Sequence, residues 1–499
     1  MEIVLKGDMA EILILSLLAL AIAVYRALRP ADRKRIEYSL STERRRIVLA
    51  AIGLIVVLYL AGRYIQTANP SFQILCGPVC LPALFWVDIL QILAVGVVFY
   101  VGKRTLVDNP PKVVDDDDFA TVLREFYTGK QYDALLNVID DNFGYIFNSS
   151  SGSQSSENTV ERALLSDDVA TALATTNPDL GIKLIKKDSN WFPRQEFTDR
   201  FLRSLHEEKS SILYREIRNN RNGEFNNYSI EPGNELLDAL FEDPSVAQDL
   251  LAWKPIGDRT IELLEAQGGG KHDEYNNRNE RFSIFNERVV FRDPIFISVR
   301  YFNIMLVQGL RNNIDHHMWV SYLEGFAKHI CGNFQNIPAV DSSDEFVNDY
   351  HYLLDNIFET LCSIIGTVTN QHRPSYSNMQ RPDTSSEADI IKMSIWTLLL
   401  CYKHVIEESS ISSQTQQMLA KKVFDSYLEL AGSHTNLSDQ YYIAMRAFFV
   451  ESTPTNPVAG SGFSQFQGEV VSDLHHYDTV SIHSRSKRGA YKDLYYRLN

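Results

Sequence analysis

His351, Asp355 and Glu359 stand at i, i+4 and i+8, the spacing that lines up three side chains along one face of an α-helix. An imidazole and two carboxylates so placed could ligate a cation. The same residues border an amphipathic helix in which Phe346, Tyr350, Leu353, Leu354, Ile357, Phe358 and Leu361 recur at i, i+3, i+4, so a solvated polar edge is the reading preferred over a ligand set. His316 and His329 are 13 residues apart, about 20 Å along one helix at ~1.5 Å per residue, too far to share a metal. Cys331, Cys362 and Cys401 each fall on an apolar helical stripe without a glycine-rich nucleophile turn, and read as reduced core thiols. None of these patterns assigns a catalytic, cofactor-binding or metal-binding residue.

Three short motifs each lack part of the signature they resemble. Asp315-His316-His317 resembles the signature triplet of a phosphoesterase family, but that family sets it after a strand with further Asp motifs upstream, and here it opens a helix. Gly268-Gly269-Gly270-Lys271 lacks the spacing, the following Ser/Thr and the preceding strand of a phosphate-cradling loop. Gly129, Tyr132, Ala134 and Leu135 resemble one tetratricopeptide hairpin, but the pattern does not recur at ~34 residues, so no repeat family is assigned.

The clearest signal is at the N-terminus. Hydrophobic segments at about 9–28, 47–66 and 81–102 are each expected to form a transmembrane helix. Eight basic residues (Arg26, Arg29, Arg33, Lys34, Arg35, Arg44, Arg45, Arg46) separate the first two, Arg63 alone follows the second, and Lys103-Arg104 follow the third. By the positive-inside rule the N-terminus is outside and everything after residue 103 is cytoplasmic. The first segment is not expected to be cleaved, because acids precede it and its basic cluster follows.

Within this region Asp88, with Gln91 one turn later, is an intramembrane polar pair. A carboxylate at membrane depth costs ~3 kcal/mol on insertion scales. A helix-packing contact, an ion or proton site, or a reach to the outer interface each accounts for it. Cys76-Gly77-Pro78-Val79-Cys80 lies in the external loop, where either a Cys76–Cys80 disulfide or two apolar thiols at the membrane edge fits the sequence.

Stepping along the remainder, residues 108–118 read as a linker, 119–267 and 281–451 as helical subdomains, and 452–499 as a flexible linker with a basic, tyrosine-rich tail. Helices are expected near 159–174, 178–187, 195–219, 234–252 and 258–267, with exposed loops at 148–158 and 268–280. A start is expected at Asp293-Pro294, an N-cap followed by proline. Ile390–Tyr402, apolar but only 13 residues, is expected to be a core helix and not a fourth span. The fold class expected is all-α, a bundle or an array of helical hairpins.

Residues 1–107 carry a net charge of +5 and the rest −20, which disfavours nucleic acid as a partner. The tail residues Arg485, Lys487 and Arg488 are candidates for contact with an anionic membrane surface, with docking on the acidic domain or a solvated tail as alternatives. The function expected is a membrane-anchored cytoplasmic helical module that binds other proteins in regulation, signalling or assembly. The alternative is a subunit of an oligomeric channel or transporter-like unit gated by the helical domain. The partners expected are the lipid bilayer, other proteins and a second copy of the chain, with no cofactor.

Overall fold

In the computed structural model the described residues are 73–76, 79–82, 116–148, 154–220, 230–267, 275–276, 290–311, 318–335, 346, 348–367, 390–433, 438–439, 442–443, 445–446 and 485–498. The first two expected spans, the third beyond residue 82, Asp88 and Gln91 all lie outside them. Among the described residues no helix is long and apolar enough to cross a membrane. The chain divides into two compact units, 1–164 and 165–499, so the segment 268–280 falls inside the second.

The first unit contains a two-stranded antiparallel hairpin, β1 (Gln73–Cys76) and β2 (Val79–Pro82). Leu81 and Pro82, expected to head the third span, instead end β2, where proline's missing N–H is tolerated. In register Cys76 pairs with Val79 and Cys80 with Leu75, so the two cysteines are not cross-strand partners. Four helices follow: α1 (Asp116–Thr128), α2 (Tyr132–Asp141), α3 (Phe143–Asn148) and α4 (Gln154–Leu164). α1 begins inside the acidic run Asp115–Asp118, where carboxylates meet the positive end of the helix. Its buried Phe119, Leu123 and Phe126 pack with Leu135, Leu136 and Ile139 of α2 and Val160 and Leu164 of α4. The turn between α1 and α2 puts its left-handed residue at Lys130, one place after Gly129.

The second unit is helical throughout its described residues. Its first half comprises α5 (Asp167–Thr176), α6 (Pro178–Lys186), α7 (Arg194–Glu207), α8 (Ile212–Asn219), α9 (Glu235–Phe241), α10 (Pro244–Asp249) and α11 (Trp253–Gln267). Its second half comprises α12 (Pro294–Arg311), a 3-10 turn at Met318–Val320, α13 (Ser321–Asn333), α14 (Asp349–Gly366), α15 (Ile390–Glu407), α16 (Ser413–Ser433) and α17 (Arg485–Leu498). Packing passes from neighbour to neighbour: α5 on α7, α7 on α11, α11 on α12 and α13, α13 on α15, α14 on α15 and α16, and α16 on α17.

Three expected helices are broken in two, the first two by side-chain chemistry that satisfies the backbone locally. The 195–219 helix stops at Glu207; Ser210 donates to Glu208 from both its backbone N and its Oγ, and the Ser211 hydroxyl donates to the Leu205 carbonyl. The 234–252 helix breaks at Asp243, whose carboxylate accepts from the Ser245 N–H while Pro244 starts α10. The 159–174 helix divides at Ser166, an extended residue followed by Asp167 and Asp168 in the first turn of α5.

Other expectations meet their elements closely. Asp293 caps α12 by accepting from the Phe296 N–H at 2.8 Å. α15 buries Ile391, Ile395, Leu398, Leu399 and Tyr402 against α13, α14 and α16, as a core helix does.

Candidate functional site

Among the described residues a cluster of buried polar groups lies where the ends of α12, α13 and α14 meet. The segment 268–280, expected to be an exposed loop, contributes two buried residues there, Tyr275 and Asn276. The Tyr275 hydroxyl donates to Asp293 Oδ2 at 2.5 Å, its carbonyl accepts from the Asp349 N–H, and its ring stacks on Tyr350. Asn276 Nδ2 donates to the Asn333 carbonyl at 2.7 Å and its Oδ1 accepts from the Gln335 N–H at 2.8 Å. Asn348 caps α14 by accepting from the His351 N–H at 2.8 Å. An amide that donates on one side and accepts on the other can hold two chain segments where water has no access, which is why asparagine suits this place.

His351 and Asp355 continue this cluster along α14. His351 is buried, edge-on to Phe346 at 5.3 Å, and desolvation lowers its pKa to about 4 despite the nearby Asp355 carboxylate. Asp355 is paired with Lys422 of α16 at 2.8 Å, and Lys422 lies 4.0 Å from Glu359. The three residues aligned in sequence are thus divided. His351 and Asp355 are buried, contrary to a wholly solvated edge, and only Glu359 is exposed. The cause is α16, whose lysine covers this side of α14. Among the described residues no group of three His, Cys, Asp or Glu could hold a metal ion. His316, His317 and Gly268–Lys271 lie outside the described residues.

A second buried polar cluster joins α7, α11 and α12. His206 Nε2 lies 2.8 Å from Ser298 Oγ and 3.0 Å from the Pro294 carbonyl, and Thr260 Oγ1 lies 2.6 Å from Ser298 Oγ. The carbonyls of Pro294 and Ile256 each lie within 2.8 Å of the hydroxyl four residues on, from Ser298 and Thr260 respectively. Nδ1 is buried without a partner, so the proton is assigned to Nε2: a bare buried lone pair costs less than an orphaned N–H. Desolvation holds this imidazole near a pKa of about 4, hence neutral. The Ser298–His206 contact has the separation of a nucleophile and its base. It has no carboxylate on Nδ1 and both residues are buried, so it fastens three helices. The periodicity of α7 could have flagged His206, which follows Phe197, Phe201, Leu202 and Leu205 on the apolar side.

Of the three helical cysteines Cys331 and Cys401 lie in the core, whereas Cys362 is half-buried. Cys331 and Cys401 are buried, and burial raises both thiols well above their ordinary range; Cys362 is pushed up to about 12. Such thiols are poor nucleophiles at neutral pH.

The third cluster involves the C-terminal helix. α17 lies along α16 with Ala490, Tyr491 and Leu494 buried and Arg488, Lys492 and Tyr496 exposed. Asp493 forms an ion pair with Arg446 at 3.1 Å. Beside it Tyr427 donates its hydroxyl to Tyr442 at 3.0 Å, with their rings 4.9 Å apart, and Met445 is buried. The Lys487 stem passes over Gly432, where an added methyl group would fall 2.9 Å from Cε. Of the tail cations expected at a membrane surface, Arg488 is exposed, Lys487 is half-buried by this packing, and the Arg485 side chain lies outside the described ones. The arrangement can hold a helix through an apolar face and one charge pair.

Comparison with family models, curated proteins and solved structures finds no match for this chain.

Proposed function

We propose that the protein is a membrane-anchored protein-interaction module, with three N-terminal hydrophobic segments that hold a large helical body on the cytoplasmic side. The observation that supports this reading is the seating of α17 on α16. The body accepts a separate amphipathic helix through three buried side chains and the Arg446–Asp493 pair. That is the mode by which helices of other proteins are recognised, an apolar face laid on a complementary surface with charge setting the register. Anchorage comes from the length of the apolar segments, and orientation from the eight basic residues of the first loop. In this arrangement Arg488 and Lys492, exposed one turn apart on α17, would meet anionic headgroups.

The test is carried out in intact membranes with the full chain. An N-terminal tag should react with an impermeant label from outside, and a C-terminal tag only after permeabilisation. Lysine cross-linking should join residues of the helical body, such as Lys421 or Lys492, to other proteins. Labelling of both termini from the same side, or cross-links confined to lipids and to residues 1–107, would defeat the reading.

A further inference from the structure

We infer that the face formed by α16 with Tyr442, Met445 and Arg446 is a helix-recognition site, that α17 occludes it in cis, and that its ligand in trans is an amphipathic helix of another protein with the α17 pattern. This deepens the interaction reading and rests on it.

The pattern is specific. Ala490, Tyr491 and Leu494 stand at i, i+1 and i+4 and are the buried residues of α17. The acid Asp493, immediately before the leucine, meets Arg446 at 3.1 Å. On the receiving side a small residue is needed where the ligand crosses, and Gly432 supplies it: the Lys487 stem fills the space a side chain would take. The Tyr427–Tyr442 pair, joined ring to ring and hydroxyl to hydroxyl, shapes the rest of the surface. A ligand of this face is therefore a helix with a small residue, an aromatic, a leucine three positions after the aromatic, and an acid before the leucine. The charge pair favours an acidic contact edge, although α17 is itself basic overall, with Arg485, Lys487, Arg488, Lys492 and Arg497 against Asp493. The cations are thus not what the site reads.

The contact is small enough to be exchanged. Among its described side chains three are buried, and its ion pair is partly solvated, with side-chain exposures of 31% and 39%. Such a contact persists in cis because the ligand is tethered. Residues 447–484 lie between the site and α17 in the chain, so docking in cis is intramolecular and is favoured over a free helix in trans. A partner displaces α17 by overcoming that advantage through its concentration or by offering a larger face.

The experiment uses the full chain in detergent. In the released variant, Tyr491→Glu with Leu494→Glu, α17 cannot dock. A fluorescent peptide of residues 485–498 should bind this variant saturably and one to one, and bind the wild type at least tenfold more weakly because its site is filled. The peptide with Asp493→Arg should lose at least tenfold in affinity and regain it on the released variant that also carries Arg446→Asp. That rescue separates recognition from loss of fold. Absence of saturable binding up to millimolar peptide would overturn the proposal, as would equal binding to wild type and released variant. Dimers of the wild type formed by crossing over of α17 would overturn the assignment to a foreign helix in favour of a second copy. None of these results touches the topology and cross-linking result above, which another surface of the body could satisfy.

Discussion

Glu216 shows how a single residue can set an element that lies elsewhere in the chain. It is buried on α8, and its two carboxylate oxygens accept from the backbone N–H groups of Leu236 and Leu237 at 3.1 and 2.9 Å, in the first turn of α9. The N-cap residue of that helix, Asn234, makes no side-chain cap of its own, so Glu216 stands in for it from 20 positions away. Burial raises its pKa and the two N–H donors oppose that shift, with burial the larger. Glu216→Ala leaves two buried donors without partners and is expected to destabilise the chain by about 3 kcal/mol. Glu216→Gln keeps one acceptor and should cost about half that. Urea unfolding of the two variants side by side checks the order. Equal losses would mean that the carboxylate's packing, and not its hydrogen bonds, matters. Asp293 does the same work for α12, and its role is legible in the sequence because the N–H that donates to it lies only three residues on. Glu216 and His206 act across 20 and 92 positions, and no local pattern encodes a partner that distant.

Between elements, the distance of closest approach is set by glycines that meet aromatic rings. A side chain at Gly257 of α11 would fall 2.4 Å from the Tyr322 ring of α13, and one at Gly181 of α6 would fall 2.3 Å from Phe201 of α7. Tyr322 also donates its hydroxyl to Asp258 at 2.7 Å, so the ring is held over the glycine and cannot easily turn aside. Gly257→Ala should force α11 and α13 apart and cost about 1–3 kcal/mol despite alanine's better helix propensity. Combining it with Tyr322→Ala should lose less than the sum of the two single changes, and additive losses in the same unfolding assay would refute the steric account. Most helices were legible in the sequence, since Leu353, Leu354, Ile357, Phe358 and Leu361 mark the buried side of α14 by spacing alone. Their interruptions were less so, because Ser210 and Ser211 tolerate a helix interior and end one only through the hydrogen bonds their surroundings allow. The burial of Tyr275 and Asn276 between glycines and asparagines was not legible for a related reason. Two residues carry no period, and their importance comes from the three helix ends they reach.

At the scale of the whole molecule, the second unit carries a built-in sensitivity to acid that follows from where its histidines are buried. His206 ties α7 to α12 and His351 lies at the start of α14, and desolvation holds both near a pKa of about 4 against an ordinary 6.5. Between those values the unfolded chain binds protons that the folded chain refuses. Stability is therefore complete above pH 6.5 and declines as pH falls toward 4, with each histidine contributing about 1.4 kcal/mol per pH unit in that window. Glu324, held below the usual carboxylate range by His404 at 2.5 Å, adds a loss in the same direction below about pH 4.5. Asp293, Glu216 and Asp238, all raised by burial, work the other way: the folded chain holds protons there that the unfolded chain releases, which opposes the histidine slope. The expected result is a urea midpoint that falls steadily from pH 7 to pH 5, before the ordinary carboxylates titrate. His351→Gln should reduce that slope by about half, since the second buried histidine still responds, while leaving the protein folded at pH 7. A midpoint that is flat from pH 7 to pH 5, or a slope that His351→Gln leaves unchanged, would show that water reaches these rings and that the interfaces of α7 and α14 are looser than their burial implies.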